Sequence, residues 1–103
     1  MLNENKDENC GIARALDVIG RKWTLLIIRD LIESPCRFGE LEQSLAGISP
    51  RTLTIRLKEL ETDGVLSRDC SSGEFHPIYR LTEKGYSLQN ILDQLRAWGE
   101  IKA

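Results

Sequence analysis

Gly47-Ile48-Ser49-Pro50-Arg51-Thr52-Leu53-Thr54-Ile55-Arg56-Leu57-Lys58-Glu59-Leu60 contains the clearest helix start in the chain. Serine at an N-cap accepts a bond from an orphan backbone amide. Proline at the first helical position gives up a donor that would have had no partner. Leu53, Leu57 and Leu60 recur at i, i+4 and i+7, so they form one inward stripe that fixes the rotation of the helix. Arg51, Thr52, Thr54, Ile55, Arg56 and Lys58 are left facing outward or sideways. The helix is expected to run to Asp63 and stop at Gly64.

Working toward the N-terminus, Gly39 to Leu45 reads as a two-turn helix with Leu41 and Leu45 inward, joined to the first by the turn Ala46-Gly47-Ile48. Cys36-Arg37-Phe38 reads as a short strand after the break at Ser34-Pro35. Lys22 to Glu33 is expected to be a buried central helix. Trp23, Leu26, Ile27 and Leu31 lie on overlapping faces there, and Ile28 widens the stripe. From Cys10, Ile12, Leu16 and Ile19 recur at helical spacing, with Gly20 as a C-terminal glycine. Residues 1–9 are charged and unpatterned and are read as a flexible arm.

After Gly64 the period drops to about two, the signature of strands. Val65 to Cys70 and Phe75 to Leu81 read as a hairpin through Ser71-Ser72-Gly73-Glu74, and Pro77 suggests that the second strand lies at an edge. Thr82 then caps one long helix to about Ile101, with Leu88, Ile91, Leu92, Leu95 and Trp98 along one side. The fold class is mainly α with a small β-hairpin. It is a winged helix-turn-helix over residues 10–101 with an added C-terminal dimerisation helix.

Composition narrows the function. The chain has 103 residues and a net charge of −2, so nucleic-acid binding must rest on a local basic patch rather than on overall charge. The longest aliphatic run, Leu25-Leu26-Ile27-Ile28, is far short of a membrane span. The polar, mostly acidic N-terminus lacks the pattern of a secretion signal, so a cytoplasmic protein is expected. Cys10, Cys36 and Cys70 form an odd set with no close pair, which fits free thiols in a reducing compartment. His76 is the only histidine. No metal-ligand spacing, nucleotide loop or catalytic constellation stands out, so neither a cofactor nor an enzyme is expected.

The basic patch lies where the fold can use it. Ser49 to Lys58 holds three basic residues and no acidic one, whereas Glu59, Glu61 and Asp63 follow. Helix dipole and charge thus favour phosphate at the same end. In a major groove, arginine can pair with guanine, threonine can bond an edge or a phosphate, and Ile55 can meet a thymine methyl. A solvated basic helix face would look the same by itself. Arg68, Ser71, Ser72, His76 and Arg80 on the hairpin supply a second donor set for backbone or minor-groove contacts. Double-stranded DNA is therefore the expected partner. The alternative is a winged-helix protein-interaction module without DNA binding, which the acidic net charge and Ile55 permit.

Four segments in order resemble the HxlR family of bacterial winged-helix transcription regulators: residues 15–23, 37–41, 47–60 and 79–85. The resemblance implies a homodimer on an inverted-repeat operator, with Ser49 to Lys58 as the recognition segment. It also implies that Cys10, just before the first helix, is a candidate sensor of an oxidant or electrophile. A helix N-terminus and Arg14 favour its thiolate, while Asp7 and Glu8 oppose it. Cys36 and Cys70 read as packing residues. The family pattern is departed from at Ile55, Ile78 and Arg21, so no operator sequence carries over. Ile12 and Leu16 together with Leu88, Ile91, Leu92, Leu95 and Trp98 are the expected dimer interface, a two-fold contact. Such a pair sets its recognition helices about 34 Å apart, one turn of DNA.

Overall fold

A computed structural model of the chain describes residues 10–71, 73 and 76–102. The arm expected over residues 1–9 and Ser72 of the expected wing lie outside the described residues. The order is α1 (Gly11–Ile19), α2 (Thr24–Glu33), β1 (Cys36–Arg37), α3 (Phe38–Ser44), α4 (Pro50–Thr62), β2 (Leu66–Asp69), β3 (Ile78–Leu81), α5 (Glu83–Tyr86) and α6 (Gln89–Lys102). The winged helix-turn-helix is thus present, with α3 and α4 as its helix pair and β2–β3 as its hairpin.

The leucine stripe of α4 does what its spacing requires. Leu53, Leu57 and Leu60 are all buried, with Ile27, Ile28 and Leu31 of α2 and Leu41 and Leu45 around α3 in the same core. Each such side chain contributes about 1.5–3 kcal/mol by leaving water, so this stripe sets which face of α4 remains outside. The hairpin closes the core with Val65, Leu66, Tyr79 and Leu81.

Three expectations change. The central helix begins at Thr24 rather than Lys22, because Trp23 is left-handed with φ 82° and cannot continue a helix backward. Gly20 ends α1 as expected, with φ −84°, and a Cβ there would run into the Leu16 carbonyl oxygen. The second hairpin strand is central, not an edge, since the sheet order is β1-β3-β2 with Arg37 opposite Ile78 and Leu66 opposite Leu81. Pro77 precedes the ladder and so removes no donor from it.

The third change is at the C-terminus, where one expected helix is two. Ser87 Oγ donates to the Lys84 carbonyl at 2.5 Å. The Leu88 amide, which would have taken that carbonyl in a continuous helix, bonds Gly85 instead at 3.1 Å. A side chain thus competes with the backbone ladder and re-aims the chain. In the hairpin, β2 and β3 pair over Leu66–Asp69 and Ile78–Leu81, and Val65 joins their base to Thr82. The Val65 carbonyl accepts from the Thr82 amide at 3.0 Å, and the Thr82 hydroxyl donates to the Gly64 carbonyl at 2.5 Å.

Candidate nucleic-acid interface

The start of α4 is capped by its own side chains. Ser49 Oγ accepts from the Thr52 amide at 3.0 Å and donates to Thr52 Oγ1 at 2.9 Å, with Pro50 in the first turn. Both hydroxyls are therefore engaged in ordering the first turn. Arg51 in that turn and Thr54, Ile55 and Lys58 beyond it are exposed, opposite the buried stripe. Arg56 differs. Its Nε donates to the Lys22 carbonyl at 3.3 Å and its Nη1 pairs with Glu59 at 3.2 Å, leaving the side chain 18% exposed. Position in the helix placed Arg56 outward or sideways, and the fold resolves this to sideways, against the α1–α2 corner.

Across from the exposed face lies the hairpin. A cleft between them is lined by Thr54, Leu57, Lys58, Glu61, Arg68 and Tyr79. Arg68 stands opposite Tyr79 in the ladder and shares its α4 side. Arg80 stands opposite Ser67 on the other face, where its Nε is 3.5 Å from Asp69. The two wing arginines expected to act together thus point to opposite sides of the sheet. Asp69 accepts from the Ser71 amide at 2.9 Å. That bond, with a smaller contribution from Arg80, holds its carboxyl below the usual range. Ser71 and His76 are exposed at the turn.

One residue escaped the sequence reading. Arg37 Nη1 donates to the His76 carbonyl at 2.6 Å, tying β1 and the start of α3 to the root of the wing. Its own amide donates to Glu40 at 2.7 Å, the return bond of a capping box. No local signal marks a contact between residues so far apart in sequence.

The thiols occupy different settings. Cys10 is the half-buried N-cap of α1 and its carbonyl accepts from the Arg14 amide at 3.0 Å. Cys36 lies in β1 with Sγ donating to the Ser34 carbonyl at 3.3 Å. Burial, then the Glu40 and Asp30 carboxylates, push its thiol pKa up. Cys70 follows β2 rather than lying within it, and is half-buried. Among the described residues no group of three or more His, Cys, Asp or Glu is placed to hold a metal ion. No described helix is long and apolar enough to cross a membrane.

A second surface lies along α1 and α6. Ile91, Leu95, Trp98 and Ile101 line an apolar groove on α6, and Ile12 and Leu16 of α1 are 73% and 56% exposed. Two residues expected on this stripe are taken by the monomer. Leu92 is 7% exposed in the core, and Leu88 packs against it. The beginning of α6 thus faces the core. Ile101, not anticipated, extends the stripe.

Helix, turn, helix and hairpin in this order define a winged-helix DNA-reading architecture. The chain belongs to the HxlR-like helix-turn-helix family, whose model matches residues 18–103, and it is a transcription regulator of that family. It is similar to the HTH-type transcriptional regulator YvaP of Bacillus subtilis strain 168, at 38% identity over 96 residues, spanning 91% of this chain and 89% of YvaP. Among solved structures, the reduced form of the redox regulator HypR superposes with a TM-score of 0.82 at 36% identity, covering 88% of this chain and 91% of HypR. Quinone-bound YodB from B. subtilis does so with a TM-score of 0.75 at 36% identity, covering 86% of this chain and 94% of YodB.

Proposed function

We propose that this regulator acts in the cytoplasm as a homodimer that binds an inverted-repeat operator in double-stranded DNA through α4. The observation that carries the reading is the division of α4: Leu53, Leu57 and Leu60 are buried, while Arg51, Thr54, Ile55 and Lys58 are exposed on the same turns. Arg51, from the first turn, reads a base edge, and Thr54 and Ile55 follow along the groove. Lys58 and, across the cleft, Arg68 bind phosphate. Ser49 and Thr52 order the helix end that faces the backbone. Ser71, Ser72, His76 and Arg80 extend the wing contacts.

The dimer forms by two-fold packing of α1 and α6 through Ile12, Leu16, Ile91, Leu95 and Trp98. That arrangement places two α4 helices about one DNA turn apart. Cys10, at the start of a helix in this surface, is the thiol through which an oxidant or electrophile would act. HypR is a redox regulator and YodB has been captured with a quinone, which supports the same class of effector here.

Band-shift titration over a salt series tests the DNA reading. Each neutralised phosphate contributes a slope of about −0.9 in log K against log salt, so a steep negative slope on a duplex enriched from a random pool is expected. A flat dependence would favour a protein-interaction module and remove the reading.

A further inference from the structure

Between α1 and α2 the chain turns through a corner in which Trp23 is the only non-glycine residue of positive φ among the described residues, at 82°. A residue with a Cβ is unfavourable there, so its surroundings must hold it. They do so on three sides. The Trp23 carbonyl accepts from the Ile27 amide at 2.9 Å and opens α2. Its indole reaches the turn between α3 and α4, where a Cβ built on Gly47 would stand 3.8 Å from Cη2. The Lys22 ammonium lies 5.4 Å from the ring centroid, within cation–π range.

This fixed corner presents the Lys22 carbonyl to the flank of α4, where Arg56 Nε donates to it at 3.3 Å. Glu59 holds the other end of the guanidinium at 3.2 Å. The leucine stripe fixes which face of α4 is buried, and the bond on its flank adds a directional restraint on rotation, because a hydrogen bond weakens steeply away from its preferred angle. Recognition needs side chains held within about 0.5 Å and 10–20° of their productive geometry.

We propose that Arg56 is a positioning residue: through the Lys22 carbonyl it refines the rotation of α4 that the leucine stripe sets, and it does not itself contact DNA. The proposal rests on α4 being the helix that reads DNA. Because the corner directly follows α1, it also joins the helix that starts at Cys10 to the reading helix.

The bond comes from Nε, and this makes a direct test available. The Arg56→Gln side chain carries an amide nitrogen at the same distance along the chain, keeping the donor and removing the charge. Arg56→Lys keeps the charge and puts a methylene where the donor was. Both are compared with Arg56→Ala, on the duplex enriched by the wild-type chain from a random pool and on a scrambled duplex, with urea midpoints as a check on folding.

The expected result is that Arg56→Gln keeps the preference for the enriched duplex within about twofold, while Arg56→Lys and Arg56→Ala lose about fivefold, the order of one exposed hydrogen bond. Loss in Arg56→Gln at an unchanged urea midpoint, or full preference in Arg56→Lys or Arg56→Ala, overturns the proposal. Arg51→Ala separates this failure from that of the reading beneath it. If Arg51→Ala loses binding while Arg56 variants are indifferent, only the positioning role falls. If Arg51→Ala is indifferent too, or if the wild-type chain enriches no sequence, the α4 reading falls and the positioning role with it.

Discussion

The Arg37 guanidinium and the His76 carbonyl, 2.6 Å apart, join the beginning of the helix-turn-helix to the root of its wing. Helix pair and hairpin are thereby set relative to each other by a bond as well as by the sheet, in which Arg37 pairs with Ile78. Arg37→Ala should lower stability by no more than about 1 kcal/mol, because the bond is exposed. It should weaken DNA binding several-fold by loosening Arg68 relative to α4. Comparing urea midpoints with band-shift affinities checks this, and equal affinities with and without Arg37 would count against a wing set by that bond.

The sharp corner between β3 and α5 depends on Gly85. A Cβ there would run into the Val65 carbonyl oxygen and come within 2.8 Å of Leu81 Cδ2, so Gly85→Ala should cost about 1–3 kcal/mol. Gly39 has nothing within 4 Å of its would-be Cβ and lies in α3. Gly39→Ala should therefore leave stability unchanged or raise it by up to about 1 kcal/mol. Denaturant titration of the pair reads both effects, and similar behaviour of the two variants would refute the distinction.

If α1 and α6 form the dimer surface, a charge placed in it should separate the copies. Trp98→Asp is expected to sediment as a monomer at concentrations where the wild-type chain is dimeric, and to lose affinity for an inverted repeat more than for a half-site. A dimeric Trp98→Asp would place the interface elsewhere.

The cysteines should differ in reactivity. Burial together with Glu40 and Asp30 raises the Cys36 pKa, so Cys36 stays protonated at neutral pH and alkylates slowly. A raised pKa favours the folded state until the unfolded thiol ionises. That contribution is complete below the ordinary thiol pKa and declines as pH rises beyond it. If Cys10 is the sensor, Cys10→Ser should abolish an oxidant-induced change in DNA binding and Cys36→Ser should not. Mass-spectrometric mapping after brief alkylation at neutral pH gives an independent check, and modification of Cys36 at the rate of an unhindered thiol would contradict its assigned setting.

Much of this architecture was legible because it is local. Ser49-Pro50 announces a helix by cap chemistry, and the stripe Leu53, Leu57 and Leu60 announces its buried face by spacing alone. What escaped depends on groups that meet only in three dimensions. Trp23 gives no sign in sequence that it is left-handed, and Arg56 reads as outward or sideways alike until the Lys22 carbonyl lies beside it. Arg68 and Arg80 read as one basic patch although alternation across the ladder sends them to opposite faces. Ser87 looked compatible with a continuous helix, yet its hydroxyl takes the carbonyl that the Leu88 amide would have used.

The most direct test of the central claim is the affinity of Arg51→Ala for the duplex enriched by the wild-type chain. Arg51 is exposed on the first turn of α4, so its removal should weaken that binding by about tenfold or more, the order of one bidentate base contact. The urea midpoint should stay in place, and affinity for a scrambled duplex should change far less. Undiminished preference for the enriched duplex in Arg51→Ala would contradict the claim that the start of α4 reads DNA.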